Sequence, residues 1–406
     1  MGRGKAAADR TSGPMPDPWI CFAAQDWWYH NRAHSDFQLM TRLARTRPVL
    51  LVNSIGLRMP TPGRSTMVTR KLIRKVRSMA KLVRRPLPGV PGFVVMTPFV
   101  IPIYQNPLIR ALNAMVVRAQ VRAVAAVLRI RRPIVLVTIP TASDVVEPMT
   151  TGGLIFNRSD RLSEYPEGDR TTIAALEDDL LRQSDRVLYV SHALMATDST
   201  VVGDRAVFID HGVDLDHFRC RPEPEQPAEL RSIPRPRIGF FGGIDDYVVD
   251  IDLLERLAAE IPEAHLILVG DASCPMDRFD RYPNVHRLGF RPYDEIPGLG
   301  SGFDVAIMPW VHNDWIRMCN PIKLKEYLAL GLPVVTTYYP EVEAYRDVVR
   351  IARSAEEFVS VVRQTLSDGG PADPERRRAA VLDASWDRIA ARLIEIGDEV
   401  TSGEPC

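Results

Sequence analysis

The sequence predicts an α/β protein of two doubly wound parallel-sheet units facing one cleft. Three observations predict it. Short Val, Ile and Leu runs alternate with amphipathic helical stretches along most of the 406 residues, as in a parallel sheet covered by helices on both faces. The alternation stops once, at a proline-rich stretch, and then restarts. The length suits two domains, and a 46% hydrophobic fraction supplies two cores.

Residues 1–18 read as a disordered polar tail. The first unit spans 19–218. Its strand candidates are Trp19–Ala24, Val49–Asn53, Phe93–Thr97, Ile134–Ile139, Leu154–Asn157, Val187–Val190 and Ala206–Ile209. Helices are expected over Asp36–Arg45, Leu108–Arg131, Thr172–Gln183 and His192–Asp198. Residues 219–236 form a connector carrying Pro222, Pro224, Pro227, Pro234 and Pro236. The second unit spans 237–373, with strands Ile238–Phe241, His265–Val269, Val285–Leu288, Val305–Met308 and Val334–Thr337. Its helices are Asp250–Ile261, Ile322–Leu330 and Ala355–Leu366, and the segment 374–406 is read as a last helix over about Pro374–Val400 followed by a tail. Ligands of such sheets bind beyond the carboxyl ends of the strands, here in the cleft.

Lys plus Arg equals Asp plus Glu at 51 each, but the charge is unevenly placed. No Asp or Glu occurs between Asp36 and Asp144, a stretch that carries 19 Lys and Arg. Such asymmetry predicts a surface for polyanions or anionic lipid. Within it, 64–85 reads as an amphipathic cationic helix. Val68, Leu72, Val76, Met79, Ala80 and Val83 share one side, and Arg70, Lys71, Arg74, Arg77, Lys81, Arg84 and Arg85 the other. This fits in-plane binding to an anionic leaflet. Nucleic acid is not expected, because the helix has no aromatics and no recognition motif occurs. Five scattered cysteines lack metal or redox spacing and fit a reducing compartment. The longest uncharged apolar run, Val90–Ile109, is broken by prolines, and the N-terminus lacks an apolar signal region. The expected location is therefore cytoplasmic, peripheral at the inner face of the plasma membrane.

Two segments carry chemistry. Strand Ile238–Phe241 ends in Gly242-Gly243, where a phosphate or sugar can approach the backbone closely. Further on, Asn320-Pro-Ile322-Lys323 opens a helix that Gly331 closes. Asn320 suits an N-cap and Pro321 the first turn. Free N–H groups at a helix N-terminus favour a diphosphate. Lys323 can neutralise charge on a leaving group there, and Glu326, on the same face, can accept two ribose hydroxyls. The bland alternative is a capped helix with a solvated Lys–Glu pair. In the first unit, the loop after strand one presents Asp26, His30, Arg32 and His34 at the ligand edge, as candidates for the acceptor side, while His34 or Ser35 is also a candidate cap of the next helix.

These residues resemble the family-4, GT-B glycosyltransferases, especially a branch acting in bacterial polysaccharide and teichuronic-acid-like assembly. The resemblance rests on His211-Gly-Val-Asp-Leu-Asp-His-Phe218, Phe241-Gly-Gly-Ile244, Leu266-Ile-Leu-Val-Gly270, Asn320–Val335 and Ser385-Trp386-Asp387, in that order. Leu154-Ile-Phe-Asn-Arg-Ser-Asp160 with Glu177 and Ser184-Asp185 is similar to a further region of the branch. It implies two Rossmann-like domains, with the C-terminal helix crossing back to the first. It also implies metal-independent, retaining transfer from a nucleoside-diphosphate sugar, most simply a UDP-sugar, to a glycan or lipid-linked acceptor. No bound cofactor is implied. Lys323 and Glu326 would be the catalytic pair. By the same resemblance Glu326 would hold the ribose, Gly242 and Gly243 would face the diphosphate, and Gly289 and Arg291 would lie near the base. Pro309–Asp314, with His312 and Asp314, would face the donor sugar.

Three positions depart from the family. Met318 stands where a sugar-contacting Glu is usual, Asp245–Asp250 lacks the usual basic residue, and Thr138-Ile-Pro140-Thr141 stands where many members carry a His. Asp314, Arg317 and Lys323 are candidate substitutes. Two other functions fit the same fold: a catalytically degenerate, membrane-docked binding partner of another enzyme, and a sugar-nucleotide epimerase.

Overall fold

The structure is a computed structural model that describes residues 16–30, 34–56, 73, 77–101, 106–164 and 169–403. The first sheet comprises β1 (Trp19–Phe22), β2 (Val49–Val52), β3 (Val83–Arg84), β4 (Phe93–Met96), β5 (Ile134–Val137), β6 (Gly153–Arg158), β7 (Arg186–Tyr189) and β8 (Ala206–Phe208). Their order is β3-β4-β2-β1-β5-β6-β7-β8, parallel except for β3. The second sheet comprises β9 (Arg237–Phe241), β10 (His265–Val269), β11 (Val285–Gly289), β12 (Val305–Met308), β13 (Val334–Thr337) and β14 (Arg350–Ala352). It runs β11-β10-β9-β12-β13-β14, all parallel.

Strands β1, β2, β4 and β5 are buried at every residue. This is why they read as continuous apolar runs rather than alternating ones. Each sheet reverses its strand order at one place, between β1 and β5 in the first and between β9 and β12 in the second. A crevice opens at such switch points beyond the carboxyl ends.

The C-terminal helix Trp386–Ser402 returns to the first unit. Its Trp386, Ala390, Leu393 and Ile396 are buried in one cluster with Trp19, Phe37 and Ile134. Arg47 pairs with Asp398 at 2.7 Å and Arg45 with Asp387 at 2.8 Å, linking that helix to helix Ser35–Leu43 and the turn after it.

Three expectations are corrected. The single last helix is two, Pro374–Ala379 and Trp386–Ser402. Between them Ala384 accepts a hydrogen bond from Val213 N (2.7 Å), Ser385 bridges Val213, and the Ser385 hydroxyl caps the new helix. The cationic helix expected over 64–85 lies largely outside the described residues. Of its described residues, 73 and 77–79 are helical, but the helix stops short of 85: Leu82 adopts φ +50°, and Val83–Arg84 pairs antiparallel with β4. Arg85 precedes Pro86, which disfavours helical backbone there. The long helix expected over Leu108–Arg131 runs Pro107–Val127, capped by Asn106, and stops where Arg129 turns to φ +58°.

Candidate active site

The second sheet's switch point gathers the carboxyl ends of β9 and β12 around the helix Ile322–Ala329. Gly242 follows β9 with φ +135°, a backbone that disfavours any side chain. A Cβ at this position would lie 2.3 Å from Lys323 Nζ. The glycine is therefore needed twice, for its dihedral and for the space the lysine occupies.

Lys323 Nζ lies 4.1 Å from the Phe240 ring centroid and 4.8 Å from that of Trp310. It makes no hydrogen bond to another described residue, so two aromatic faces are its neighbours in place of an anion. Burial pushes this ammonium down to about 7, with Glu326 pulling it upward. Burial likewise pushes the Glu326 carboxyl up to about 7, against the pull of Lys323. Glu326 sits one turn further along the same helix. A cation without a fixed counter-ion at a helix N-terminus, over a side-chain-free turn, can receive an anionic phosphate.

Asn320 is not the cap of this helix. Pro321 occupies the N-cap position and no side chain caps it. The Asn320 amide instead donates to Val190 O (2.7 Å) and Asp210 Oδ1 (2.8 Å), both in the first unit. Ile322, half-buried, packs against the first unit's Trp19 cluster. Gly243 is exposed beside Gly242, with open space around it. Gly289 ends β11, two strands from β9, at φ +66°, and Arg291 is paired with Glu229. His312 is exposed. Asp314, also exposed, opens a one-turn helix and pairs with Arg317 at 3.5 Å.

Across the cleft, the Asp26 carboxylate accepts hydrogen bonds from Ser78 Oγ and Trp28 N, which fold its own loop. His30 ends the turn Trp27–His30, and Arg32 lies outside the described residues. His34 occupies the N-cap position of the next helix without a side-chain cap bond, and burial pushes its imidazole down to about 4.

Further residues build this cleft, among them Lys325, Cys319 and Phe290, to which sequence reasoning gave no role there. Lys325, fully buried, reaches Asp210 at 2.9 Å and lies 5.6 Å from the Tyr345 ring. Burial alone would lower its pKa, yet Asp210 and Tyr345 hold it above the ordinary lysine value. Met318 is buried among first-unit core residues and its sulfur meets Arg161 at 4.0 Å. Beside it the Cys319 thiol faces Asp160 at 3.8 Å, and burial pushes the Asp160 carboxyl up to about 6. Asp36, buried beside Thr138, is likewise pushed up to about 6. Phe290, 65% exposed beside Gly289, offers an aromatic face. A Phe directly after the glycine that ends an apolar strand was the available signal for Phe290. The Lys325–Asp210 pair left none, because its partners are 115 residues apart.

Further contacts join the units. Tyr247 Oη donates to Glu164 O (3.0 Å), and His192 N donates to Glu341 Oε1 (2.6 Å). The Glu164 turn is held from behind by an ion-pair network. Arg158 pairs with Glu177 at 3.0 Å and Asp198 at 2.6 Å, and the Ser163 hydroxyl donates to Glu177 (2.7 Å).

Two parallel sheets face one cleft, and the last helix crosses back to the first: this is the GT-B fold. Sucrose-phosphate synthase from Thermosynechococcus elongatus superposes with a TM-score of 0.68 at 14% identity, over 96% of this chain and 100% of that one. Anabaena Alr3699/HepE in complex with UDP superposes at 0.66 and 15% identity, over 95% and 100%. Residues 235–368 match the family described as Glycosyl transferases group 1, so the second unit carries a group 1 glycosyltransferase domain. The chain is also similar to a Bacillus subtilis (strain 168) protein named as a teichuronic acid biosynthesis glycosyltransferase, TuaH, at 26% identity over 193 residues. That match covers 46% of this chain and 48% of the relative, about half of its length.

Proposed function

We propose that this protein is a retaining, metal-independent glycosyltransferase that moves a sugar from a nucleoside-diphosphate donor to a glycan or lipid-linked acceptor in envelope polysaccharide synthesis. One observation carries the reading: Lys323, without a fixed counter-ion, lies against the side-chain-free Gly242 turn, with Glu326 one turn on. The helix N-terminus and the Lys323 ammonium would take the diphosphate, a role a metal ion plays in other transferases. Glu326 would accept the ribose hydroxyls. Gly289 and Phe290 would flank the base, while His312 and Asp314 would reach the sugar.

A UDP-sugar is the favoured donor. Solved structures of the same fold are described with UDP and with UDP-glucose, the latter superposing at a TM-score of 0.60. The acid-free stretch between Asp36 and Asp144 supports a peripheral position on the inner membrane face, beside a lipid-linked acceptor. Asp26, His30 and His34 would stand on the acceptor side, with Asp160 facing the donor from the first unit.

A thermal-shift panel of UDP-, GDP- and ADP-sugars tests the donor. UDP-sugars should raise the melting temperature, and Lys323→Ala and Glu326→Ala should each abolish the shift while leaving the unliganded protein folded. No shift with any nucleotide sugar would sink the reading. Met318 favours one alternative, because it stands where the family usually has a sugar-contacting Glu and is buried among first-unit core residues. A degenerate, membrane-docked binding protein would show the thermal shift but neither hydrolysis nor transfer.

A further inference from the structure

The helix Pro107–Val127 is apolar on both sides. Its inner face, with Ala114, Val117, Val121 and Ala125, is buried on the first sheet. Its outer face presents Leu108, Leu112, Met115, Val116 and Val127, with Leu108 81% and Val127 82% exposed. At about 100° per residue these five fall within roughly one third of the helix circumference. A second apolar face, opposite the one already buried on the sheet, belongs against protein or lipid rather than in water.

The stripe is wider than the helix. Gln120 exchanges hydrogen bonds with Phe99 N and O (2.9 and 3.1 Å), and Asn113 with Ile101 N and O (2.9 and 2.6 Å). These four bonds pin the preceding loop alongside the helix, with Phe99 52% exposed and Ile101 exposed beside it. At the far end Arg122, Arg129, Arg131 and Arg132 line a cavity of about 700 Å³. None of the four forms an ion pair with a described carboxylate.

We infer that this face is the membrane-docking surface: Leu108, Leu112, Met115 and Phe99 enter an anionic bilayer while the arginine cluster binds lipid phosphates. The inference rests on the membrane-bound acceptor proposed above and assigns the surface that brings the cleft to it. Charge complementarity selects this occupant. The topology makes the orientation productive. The helix begins on the carboxyl edge of the first sheet, after β4, and ends on the opposite edge, before β5. Its Leu108 end therefore lies on the cleft side, where a lipid-linked acceptor would enter.

The test is flotation of the full chain with phosphatidylcholine vesicles, with and without phosphatidylglycerol. The parent should float only with the anionic vesicles, and less so in high salt. Leu112→Glu/Met115→Glu, at exposed positions, and Arg129→Gln/Arg131→Gln/Arg132→Gln should each weaken binding by at least about tenfold. Both should keep the thermal shift with UDP-glucose. Attachment that both variants retain, but that Arg70→Gln/Lys71→Gln/Arg74→Gln abolishes, would overturn the assignment. So would a parent that ignores vesicles, or a dimer dissolved by Leu112→Glu/Met115→Glu. Vesicle binding without any nucleotide-sugar shift would instead remove the proposed transferase and leave the docking face standing.

Discussion

Lys323 and Glu326 are both shifted toward neutrality by the same burial, and this gives the site a pH signature. Glu326 holds its proton up to about 7 in the fold, against 4.5 for an ordinary Glu, so its contribution to stability is lost as pH rises through that window. Lys323 runs the other way. The unfolded chain binds more protons between about 7 and 10.5, so its contribution improves as pH rises there. Relative to Lys323→Met/Glu326→Gln, the parent's melting temperature should therefore pass through a minimum near pH 7. A diphosphate beside Lys323 favours the ammonium, so donor binding at pH 8 should take up protons. Calorimetry in buffers of different ionisation enthalpy reads this directly, and buffer-independent heats would count against the diphosphate lying at Lys323. Gly242→Ala places a methyl group on the lysine's position and strains a φ of +135°. It should cost about 1–3 kcal/mol of stability and at least tenfold in donor affinity, measured by titration of UDP-glucose. These residues were legible because glycine turn, helix start and Lys–Glu spacing are local patterns. Asn320 shows the limit. Its type suits a cap, but an amide that can bridge to Val190 and Asp210 is better placed in the buried interface than on solvated N–H groups.

The elements were legible to the degree that their burial is one-dimensional. Strands β1, β2, β4 and β5 are buried throughout and announce themselves as apolar runs. Strand β3 is two exposed residues, Val83 and Arg84, within a cationic stretch, and has no such signature. The break at 380–385 was hidden because amphipathic spacing continues on both sides, while the interruption is imposed by a bridge to Val213 that lies far back in the chain. Among the elements, the strand β6 and the two helices behind it are held by a charge network rather than by packing alone. Arg158→Met leaves Glu177 and Asp198 buried without their cation. It should destabilise the protein by about 3–5 kcal/mol, as read from chemical denaturation. Glu177 stood among the sequence signatures, and the structure gives it this supporting place.

For the whole molecule, the two sheets were legible and their mutual arrangement was not. Contacts such as Lys325–Asp210, His192–Glu341 and Tyr247–Glu164 join residues more than 80 positions apart, and no periodicity encodes them. Asp210→Ala strands a fully buried ammonium at this joint. It should cost about 3–5 kcal/mol and loosen the cleft, seen as a larger radius of gyration in small-angle scattering. If scattering and denaturation both match the parent, the pair is not what holds the units together. The returning helix has a consequence for how the chain is made. Its Trp386, Leu393 and Ile396 complete the core around Trp19 and Phe37, and a Cβ at Gly397 would lie 2.4 Å from the Trp19 ring. The first unit is therefore completed only after the second has been synthesised. The second unit can assemble while the first still waits for the seventeen-residue helix Trp386–Ser402 to leave the ribosome.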